Sequence, residues 1–250
     1  MNTTDSSAAA FRDGMEMIAA AVPGSYHTRG EHGTLLAITH ADVPALNPIL
    51  SPAAVADPAE IAALAGIAAE RSGGSPWSIR LRGEPSPEIR EIAGRHGLAT
   101  DTTQPFMTRP LTGDVPETKA TVRRLEAAEY ETFAAVLAGG FGALPEIVSA
   151  VYSPQVLVHP GIAAYLAEDD SGTPVAAGVT IRNDRHLGLG SVATLEPSRR
   201  QGHAYALTAT MLNDGRAAGA HTAYLHATDE VVPFFEALGF ETRETWTMLF

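Results

Sequence analysis

The chain contains no cysteine among its 250 residues, which excludes disulfide bonds, thiolate metal sites and a cysteine nucleophile. It also has no apolar run that approaches the roughly 18–20 residues needed to cross a bilayer. The first twelve residues do not show the basic-then-apolar pattern of a secretory signal, so we expect a cytoplasmic protein. The nine histidines show no metal-ligand spacing, and the sequence therefore predicts no metal site.

Positive charge is scarce as well. Lys and Arg total 17 against 29 Asp and Glu, which gives a net charge of −12. This balance argues against nucleic acid or an anionic membrane as the main partner. Hydrophobic residues make up 45% of the chain, which is enough for a packed core and excludes wholesale disorder.

Helical and strand patterns follow one another along the whole chain, which predicts an α/β protein with a mixed sheet. The predicted helices cover residues 7–21, 57–71, 86–97, 126–138, 202–218 and 233–238. The predicted strands cover residues 34–39, 77–81, 106–109, 120–125, 163–168, 175–182, 187–195, 222–227 and 242–250.

Local signals set several of these ends. Asp57 supplies an N-cap, Pro58 the first helical position and Glu60 a capping-box carboxylate for the second helix. The glycine pair at 139–140 predicts the end of the fourth helix, and the turn at 169–172 predicts a hairpin.

The composition shifts to Pro, Gly, Thr and Asp over residues 110–116, and this predicts a boundary between two halves. We expect a first domain over residues 1–112 and a second over residues 118–250. The two halves are similar in length, which suggests a diverged duplication.

The segment Arg199-Arg200-Gln201-Gly202-His203-Ala204 stands between a predicted strand and the long helix 202–218. The first backbone N–H groups of a helix are unpaired, and the helix dipole places partial positive charge there. Gly202 leaves room for a ligand to approach the backbone, and two arginines add charge. Such a turn can cradle a pyrophosphate, whereas a glycine-containing turn taken alone more often marks an ordinary helix start.

This segment, with the strand 192–195 before it, resembles motif A of the GCN5-related N-acetyltransferase (GNAT) family, written R/Q-x-x-G-x-G/A. Arg199, Gly202 and Ala204 fall on its three specified positions. Some thirty residues later, 225–228 and 233–240 resemble motif B, which ends in Leu-Gly-Phe. The resemblance covers roughly residues 118–250 and implies the acyl-CoA N-acyltransferase fold.

The resemblance also implies a function, which is transfer of an acetyl group from acetyl-CoA to the amine of a small molecule by direct attack on the thioester. Residues 192–194 would pair with the pantetheine amides and hold the developing oxyanion, and residues 200–204 would hold the pyrophosphate. The positions that it assigns to the acyl-CoA are Val192, Ala193, Thr194, Arg199, Arg200, Gln201, Gly202, His203, Ala204, Thr228 and Phe234.

The sequence departs from the family at one position. The tyrosine that often protonates the leaving thiolate is Phe235 here, and simple core packing is the favoured interpretation of that ring. His226 could serve as a base, although a partly buried strand residue is the commoner role for such a histidine. The catalytic acid and base are therefore unassigned.

The first half has no counterpart of the Arg-x-x-Gly-x-Ala turn after its strand 77–81, because Arg82-Gly83-Glu84 places an acid there. We expect either a degenerate GNAT-like copy or an unrelated domain that shapes substrate specificity. Two other functions stay open. The chain could be a pseudoenzyme that binds acyl-CoA as a sensor, which Phe235 favours, or it could use an aminoacyl-tRNA donor, which the net charge disfavours.

Overall fold

The computed structural model of the chain describes residues 2–116 and 120–250, and it is a mixed α/β structure. The predicted start of the second domain, residue 118, lies outside the described residues. The helices are α1 (Thr3–Ala21), α2 (Pro58–Arg71), α3 (Pro87–Arg95), α4 (Tyr130–Phe141), α5 (Pro145–Val151), α6 (Pro154–Leu157), α7 (His203–Ala217) and α8 (Val232–Ala237). The strands are β1 (Tyr26–Arg29), β2 (Leu35–Ile38), β3 (Pro48–Leu50), β4 (Ser78–Arg82), β5 (Asp101–Pro110), β6 (Thr121–Arg124), β7 (Ile162–Glu168), β8 (Pro174–Asn183), β9 (His186–Thr194), β10 (Thr222–His226) and β11 (Glu241–Leu249).

Every helix and strand that the sequence predicts is present, with ends that differ by a few residues. The sequence patterns do not predict β1, β3, α5 or α6. These elements have three to seven residues, too few for a periodic pattern to stand out.

The chain folds into two compact units. Unit 1 contains the described residues up to Thr108 together with His226–Phe250, and unit 2 contains Arg109–Leu225. One edge of unit 2 coincides with the compositional boundary near residue 110. The C-terminal strand β11 belongs to unit 1, because it pairs antiparallel with both β4 and β5.

Unit 1 is built on strands in the order β1-β2-β3-β4-β11-β5. The pair β3 and β4 is parallel, and α2 forms the crossover between them. One face of this sheet packs against α2 and α3 through a cluster of buried apolar side chains that includes Ile61, Leu64, Ile79 and Ile89.

The start of α2 follows its sequence signals only in part. Asp57 caps the helix by accepting a hydrogen bond from the Ala59 N–H at 2.9 Å, and Pro58 occupies the first turn. The predicted capping-box role of Glu60 is wrong. Its buried carboxylate accepts hydrogen bonds from the His32 N–H and the Thr34 hydroxyl instead, because the fold brings residues 32–34 against the start of α2.

Unit 2 is built on strands in the order β10-β9-β8-β7-β6. The pair β9 and β10 is parallel with α7 as its crossover, and the other neighbouring pairs are antiparallel. The predicted hairpin between β7 and β8 is confirmed, since Asp169 accepts hydrogen bonds from the Ser171 and Thr173 N–H groups. Helix α7 buries Ala206, Leu207 and Met211 on one face.

The segment after β5 is held to α7 rather than left as a free linker. The N–H of Val115 donates to the Asn213 side chain at 2.8 Å, and the Asn213 amide donates back to the Val115 carbonyl at 2.9 Å. The Leu111 N–H donates to the His221 carbonyl. Over the described residues, none of the helices is long and apolar enough to span a lipid bilayer.

A candidate acyl-CoA site at the end of strand β9

Strand β9 contains a bulge. Its partners on β8 shift between Val179↔Gly190 and Ala177↔Ala193, so β9 carries one residue more than β8 across this step. Ser191 lies in this step with φ of 53°, a left-handed conformation that is uncommon for a residue with a side chain. A bulge bends the strand and redirects the residues that follow it. Glycines at 188 and 190 were the sequence signal that could have located the bulge.

Strands β9 and β10 pair over only a short distance. The pairs join Thr222–Tyr224 to His186–Gly188, and β9 continues for six more residues to Thr194. Within the described residues, Ala193 and Thr194 pair with β8 on one side, and Val192–Thr194 have no strand partner on the β10 side. An extended ligand with amide groups can add to such a strand edge through backbone hydrogen bonds.

Helix α4 approaches the end of β9 very closely. A Cβ added at Gly140 would lie 2.7 Å from the Cβ of Ala193, and one added at Gly139 would lie 2.8 Å from a methyl group of Leu195. The prediction that these glycines end the helix is wrong, because α4 runs through them to Phe141 and is capped by the left-handed Gly142. Their lack of a side chain serves the contact with β9.

The start of α7 forms the expected cradle of backbone amides. Arg200 and Gly202 have left-handed φ values of 61° and 91°, which turn successive N–H groups toward one point. No side chain caps the helix, and the first bond in its ladder runs from the Ala206 N–H to the Gly202 carbonyl. The N–H groups of His203, Ala204 and Tyr205 are therefore left for an outside acceptor.

The two arginines before the cradle differ in role. The Arg199 guanidinium donates to the carbonyls of Thr194 at 3.2 Å and Gly140 at 3.0 Å, so it ties the loop to the ends of β9 and α4. Arg200 is exposed. Gln201 is also exposed, and its amide donates to the Pro197 carbonyl within the loop. Arg199 is thus a positioning residue in this structure, while Arg200 is an exposed cation beside the cradle.

Two buried polar atoms at this site, Thr194 Oγ1 and His203 Nδ1, have no hydrogen-bond partner among the described residues. A buried polar atom without a partner is uncommon and costs free energy, so its presence is typical of a site that a ligand completes. Together with the uncapped amides and the open space in front of Gly202, these atoms fit a phosphate-bearing ligand with further polar groups.

A cavity of about 800 Å³ lies beside the start of α7 and is lined by Gln201, His203 and the turn 169–172. Glu168 also lines it, and together with Asp169 and Asp170 of that turn it makes the far wall acidic. Since these carboxylates repel phosphate, the anion is expected against the amides of α7 and away from that wall.

Tyr152 and Ser191 form a pair of hydroxyl groups at the bulge. Their oxygens are 3.0 Å apart, and Tyr152 also packs edge-on against Phe133. Burial raises the pKa of Tyr152, while the hydrogen bond with Ser191 acts in the opposite direction. The sequence did not single out either residue, because nothing in their local pattern places α5 against β9.

The remaining predicted positions lie in unit 1. Thr228 is exposed and precedes a short 3₁₀ turn, and Phe234 in α8 is half-buried with its ring 5.0 Å from that of Phe235. Phe235 itself is buried and packs against Phe240, which confirms core packing for its ring. The roles of Thr228 and Phe234 at the thiol end stay predictions.

His226 is a half-buried residue at the end of β10, as the commoner interpretation expected. Its ring packs against Phe11 and Phe106 with centroids 4.5 and 4.8 Å away. Burial, helped by the nearby Arg80 charge, lowers the pKa of His226 well below its usual value, so the ring is neutral at pH 7. In the part of the chain that the structure describes, no cluster of three or more His, Asp or Glu side chains is placed to hold a metal ion.

Comparison with known proteins identifies this architecture. Residues 126–240 match the family model described as acetyltransferase (GNAT) family. No match was found among curated protein sequences.

Solved structures of similar fold include a GCN5-related N-acetyltransferase from Kribbella flavida, with a TM-score of 0.68 and 22% identity over 100% of this chain and 95% of that one. A GCN5-related N-acetyltransferase from Sphaerobacter thermophilus has a TM-score of 0.56 and 14% identity over 90% of this chain and 74% of that one. A putative acetyltransferase of the GNAT family from Novosphingobium aromaticivorans has a TM-score of 0.52 and 19% identity, over 78% and 81% of the two chains.

The bulged strand β9, the uncapped start of α7 and the order of strands in unit 2 thus agree with a family whose co-substrate is acetyl-CoA. Residues 126–240 are thus similar to the acetyltransferase (GNAT) family, and the mixed sheet of the chain has the acyl-CoA N-acyltransferase fold.

Proposed function

We propose that this protein transfers an acetyl group from acetyl-CoA to the amine of a small molecule. The observation that carries the proposal is the uncapped, left-handed start of α7 directly after the bulged end of β9. The start of α7 supplies donors for a pyrophosphate. The end of β9 supplies a free strand edge for the pantetheine amides. A net charge of −12 favours the approach of a cationic amine over that of a nucleic acid.

In this proposal each segment has a defined task. The amides of residues 202–205 and the Arg200 guanidinium hold the pyrophosphate, and Val192–Thr194 hold the pantetheine in an extended form. A backbone N–H of that strand segment donates to the thioester carbonyl and stabilises negative charge that develops there. Acetyl-CoA supplies the thioester that the amine attacks directly, so the chain needs no nucleophile of its own.

The proton balance differs from the common pattern of the family, because Phe235 has no proton to donate. A thiolate is a stable enough leaving group to depart without a general acid, so transfer does not depend on one. The second candidate, an acyl-CoA-binding sensor without activity, is favoured by this same residue. Acetyl-CoA binding without thiol release in the presence of amines would support the sensor.

The experiment measures acetyl-CoA binding by calorimetry and free thiol release with a pool of small amines. Gly202→Val places a side chain in front of the helix amides and should reduce acetyl-CoA affinity by about tenfold or more, since phosphate binding there depends on close backbone approach.

Gly219→Val is the matched control. Gly219 lies at the other end of α7 with φ of 94°, close to the 91° of Gly202, and a Cβ at either position meets nothing within 4 Å. Both variants therefore carry the same backbone strain of about 1–2 kcal/mol. Equal affinity in the two variants would show that the start of α7 does not bind the co-substrate.

We also propose that the chain holds two tandem copies of the fold, a degenerate copy over residues 1–112 and an acyl-CoA-binding copy over residues 118–250. Each unit contains one parallel strand pair joined by a helix, which is β3-α2-β4 in unit 1 and β9-α7-β10 in unit 2. The start of α2 cannot serve as the cradle does, because Asp57 occupies its amides with a carboxylate and Pro58 has no N–H.

A further inference from the structure

Unit 1 contains a group of aromatic and cationic side chains that the proposed chemistry does not use. The Arg80 cluster consists of Arg80, Phe11, Phe106, His226 and Trp246. The Arg80 guanidinium lies 4.9 Å from the centre of the Phe11 ring, and the three aromatic rings surround the imidazole of His226 with centroids 4.5–5.1 Å from it.

The charge of Arg80 is not balanced by a carboxylate. Among the described residues its hydrogen bond runs from Nη2 to the neutral Oε1 of Gln104 at 2.5 Å, and no acid forms an ion pair with it. Only 8% of the residue is exposed. Desolvation by burial lowers the pKa of Arg80 to about 10, and no carboxylate opposes that effect.

Arg82 provides the contrast on the same strand. It lies two residues further along β4 and therefore on the same face. Its guanidinium is paired with Asp5 at 2.9 Å and with Glu244 at 2.8 Å. The chain thus supplies two carboxylates to Arg82 and none to Arg80, although a buried guanidinium without a counter-charge is strongly unfavourable.

His226 adds a second unsatisfied group to the cluster. Its Nε2 atom is buried and has no hydrogen-bond partner in the part of the chain that the structure describes. His226 as a residue is half-buried, and a small part of Arg80 is exposed, so the cluster lies close to the surface of unit 1. A planar anion placed here would accept hydrogen bonds from the guanidinium and meet the imidazole at its edge.

We propose that the Arg80 cluster binds the carboxylate of the acceptor, which makes the acceptor an amine that also carries a carboxylate and an apolar or aromatic body. The planar guanidinium matches a carboxylate with two parallel hydrogen bonds, and the rings of Phe11, Phe106 and Trp246 suit the apolar body. The identification of the ligand as the acceptor rests on the proposed function.

The test uses Trp246 as its own reporter. The chain has two tryptophans, and Trp77 belongs to the apolar cluster of α2 and α3, so Trp77→Phe leaves Trp246 as the sole indole. Two probes are titrated without acetyl-CoA, L-phenylalanine and 2-phenylethylamine, which differ by the carboxylate alone. We expect a saturable change in Trp246 fluorescence with L-phenylalanine and roughly tenfold weaker binding of 2-phenylethylamine.

Arg80→Met should abolish that preference, and Arg90→Met is the control. Arg90 is an exposed residue of α3 paired with Glu84 and Asp101, so its replacement removes the same net charge outside the cluster. Equal responses to the two probes in the protein with Arg80 intact, or an unchanged preference in Arg80→Met, would overturn the proposal.

Thermal unfolding separates a binding role from a structural one. If the charge of Arg80 is kept for a ligand, Arg80→Met should leave the melting temperature equal or higher, because an unbalanced buried charge is replaced by an apolar chain of similar length. A clear fall in melting temperature, with probe binding unchanged, would assign Arg80 to the core alone.

Thiol release with the same two amines then distinguishes this inference from the proposed function. If L-phenylalanine binds in a manner that depends on Arg80 but no thiol is released, the carboxylate site is supported and acetyl transfer to this amine is rejected. Thiol release that is equal for both amines and unaffected by Arg80→Met keeps acetyl transfer and rejects the carboxylate site.

Discussion

Burial fixes the charge of single residues in this protein, and His226 is the clearest example. Its ring lies among Phe11, Phe106 and Trp246, and Arg80 is the cation that acts on it. Desolvation and this like charge both disfavour the imidazolium form, which lowers the pKa of His226 well below the usual value. His226 is therefore neutral in the folded protein near pH 7.

This coupling predicts a pH dependence of stability. The unfolded chain binds a proton at His226 near pH 6.5, while the folded chain does so only at a lower pH. The free energy of unfolding should therefore fall as the pH falls below about 6.5. Between pH 7.5 and 5.5 this histidine should account for about 1.4 kcal/mol of lost stability, which urea unfolding at the two pH values can measure.

The variant His226→Phe keeps an aromatic ring in the cluster and should remove that share of the pH dependence. His96→Phe is the control, because His96 packs edge-on against Trp77 outside the cluster. If the free energy of unfolding of His226→Phe fell between the two pH values by as much as that of the wild-type protein, the assignment would be wrong.

At the scale of elements, the contact between α4 and β9 depends on glycine. Gly140 lies in the last turn of α4, where a Cβ would meet the Cβ of Ala193 at 2.7 Å and the Thr194 backbone nitrogen at 3.1 Å. Arg199 joins the same ends by bonding to the Thr194 and Gly140 carbonyls. The position of the strand segment that would bind pantetheine is thus set by a helix behind it.

We predict that Gly140→Ala destabilises the protein by about 1–3 kcal/mol, since the methyl group overpacks a backbone contact. It should also weaken acetyl-CoA binding, because relief of the clash moves residues 192–194. Urea unfolding and calorimetry measure the two effects.

Gly66→Ala is the matched control for this prediction. Gly66 is also inside a helix, α2, but a Cβ there meets nothing within 4 Å. This variant should stabilise the protein by about 0.5–1 kcal/mol through helix propensity and leave acetyl-CoA binding unchanged. Gain of stability in both variants would mean that the α4–β9 contact tolerates a side chain.

At the scale of the whole molecule, the two units use the same strand–helix–strand arrangement with different helix starts. In unit 2 the helix start is open, with Gly202 as an N-cap that has no side chain. In unit 1 the Asp57 carboxylate accepts the Ala59 N–H, and Asp57 also lies 2.9 Å from His32. A carboxylate at that point repels phosphate, so one unit is suited to acetyl-CoA and the other is not.

We therefore predict a stoichiometry of one acetyl-CoA per chain in calorimetry. Asp57→Ala should lower the free energy of unfolding by about 0.5–2 kcal/mol through loss of the helix cap. It should leave acetyl-CoA affinity and stoichiometry unchanged, because Pro58 still lacks an N–H. Two binding sites per chain, or loss of binding in Asp57→Ala, would contradict a single cradle in unit 2.

The sequence by itself determined the class of the fold, the helices and most strands, and it predicted the segment 199–204 as an anion cradle. These features depend on interactions between residues that are close in sequence. Apolar periodicity, caps, glycines and the unpaired amides of a helix start act over a few residues, and the pattern of positions 199, 202 and 204 is contiguous. The interpretation of Phe235 as a core residue was also within reach, because an apolar ring in a short helix before Leu-Gly-Phe has few other uses.

The tertiary structure decided whatever depends on residues distant in sequence. The glycines 139–140 pack against β9, and Glu60 binds Thr34 instead of the helix cap. Strand β11 pairs with β4 and β5. The tertiary structure also brought Tyr152 to Ser191 and gathered Arg80, Phe11 and His226 from three separate segments. The physical reason is that backbone approach, charge balance and burial are set by neighbours in space, and no local pattern records which neighbours those are.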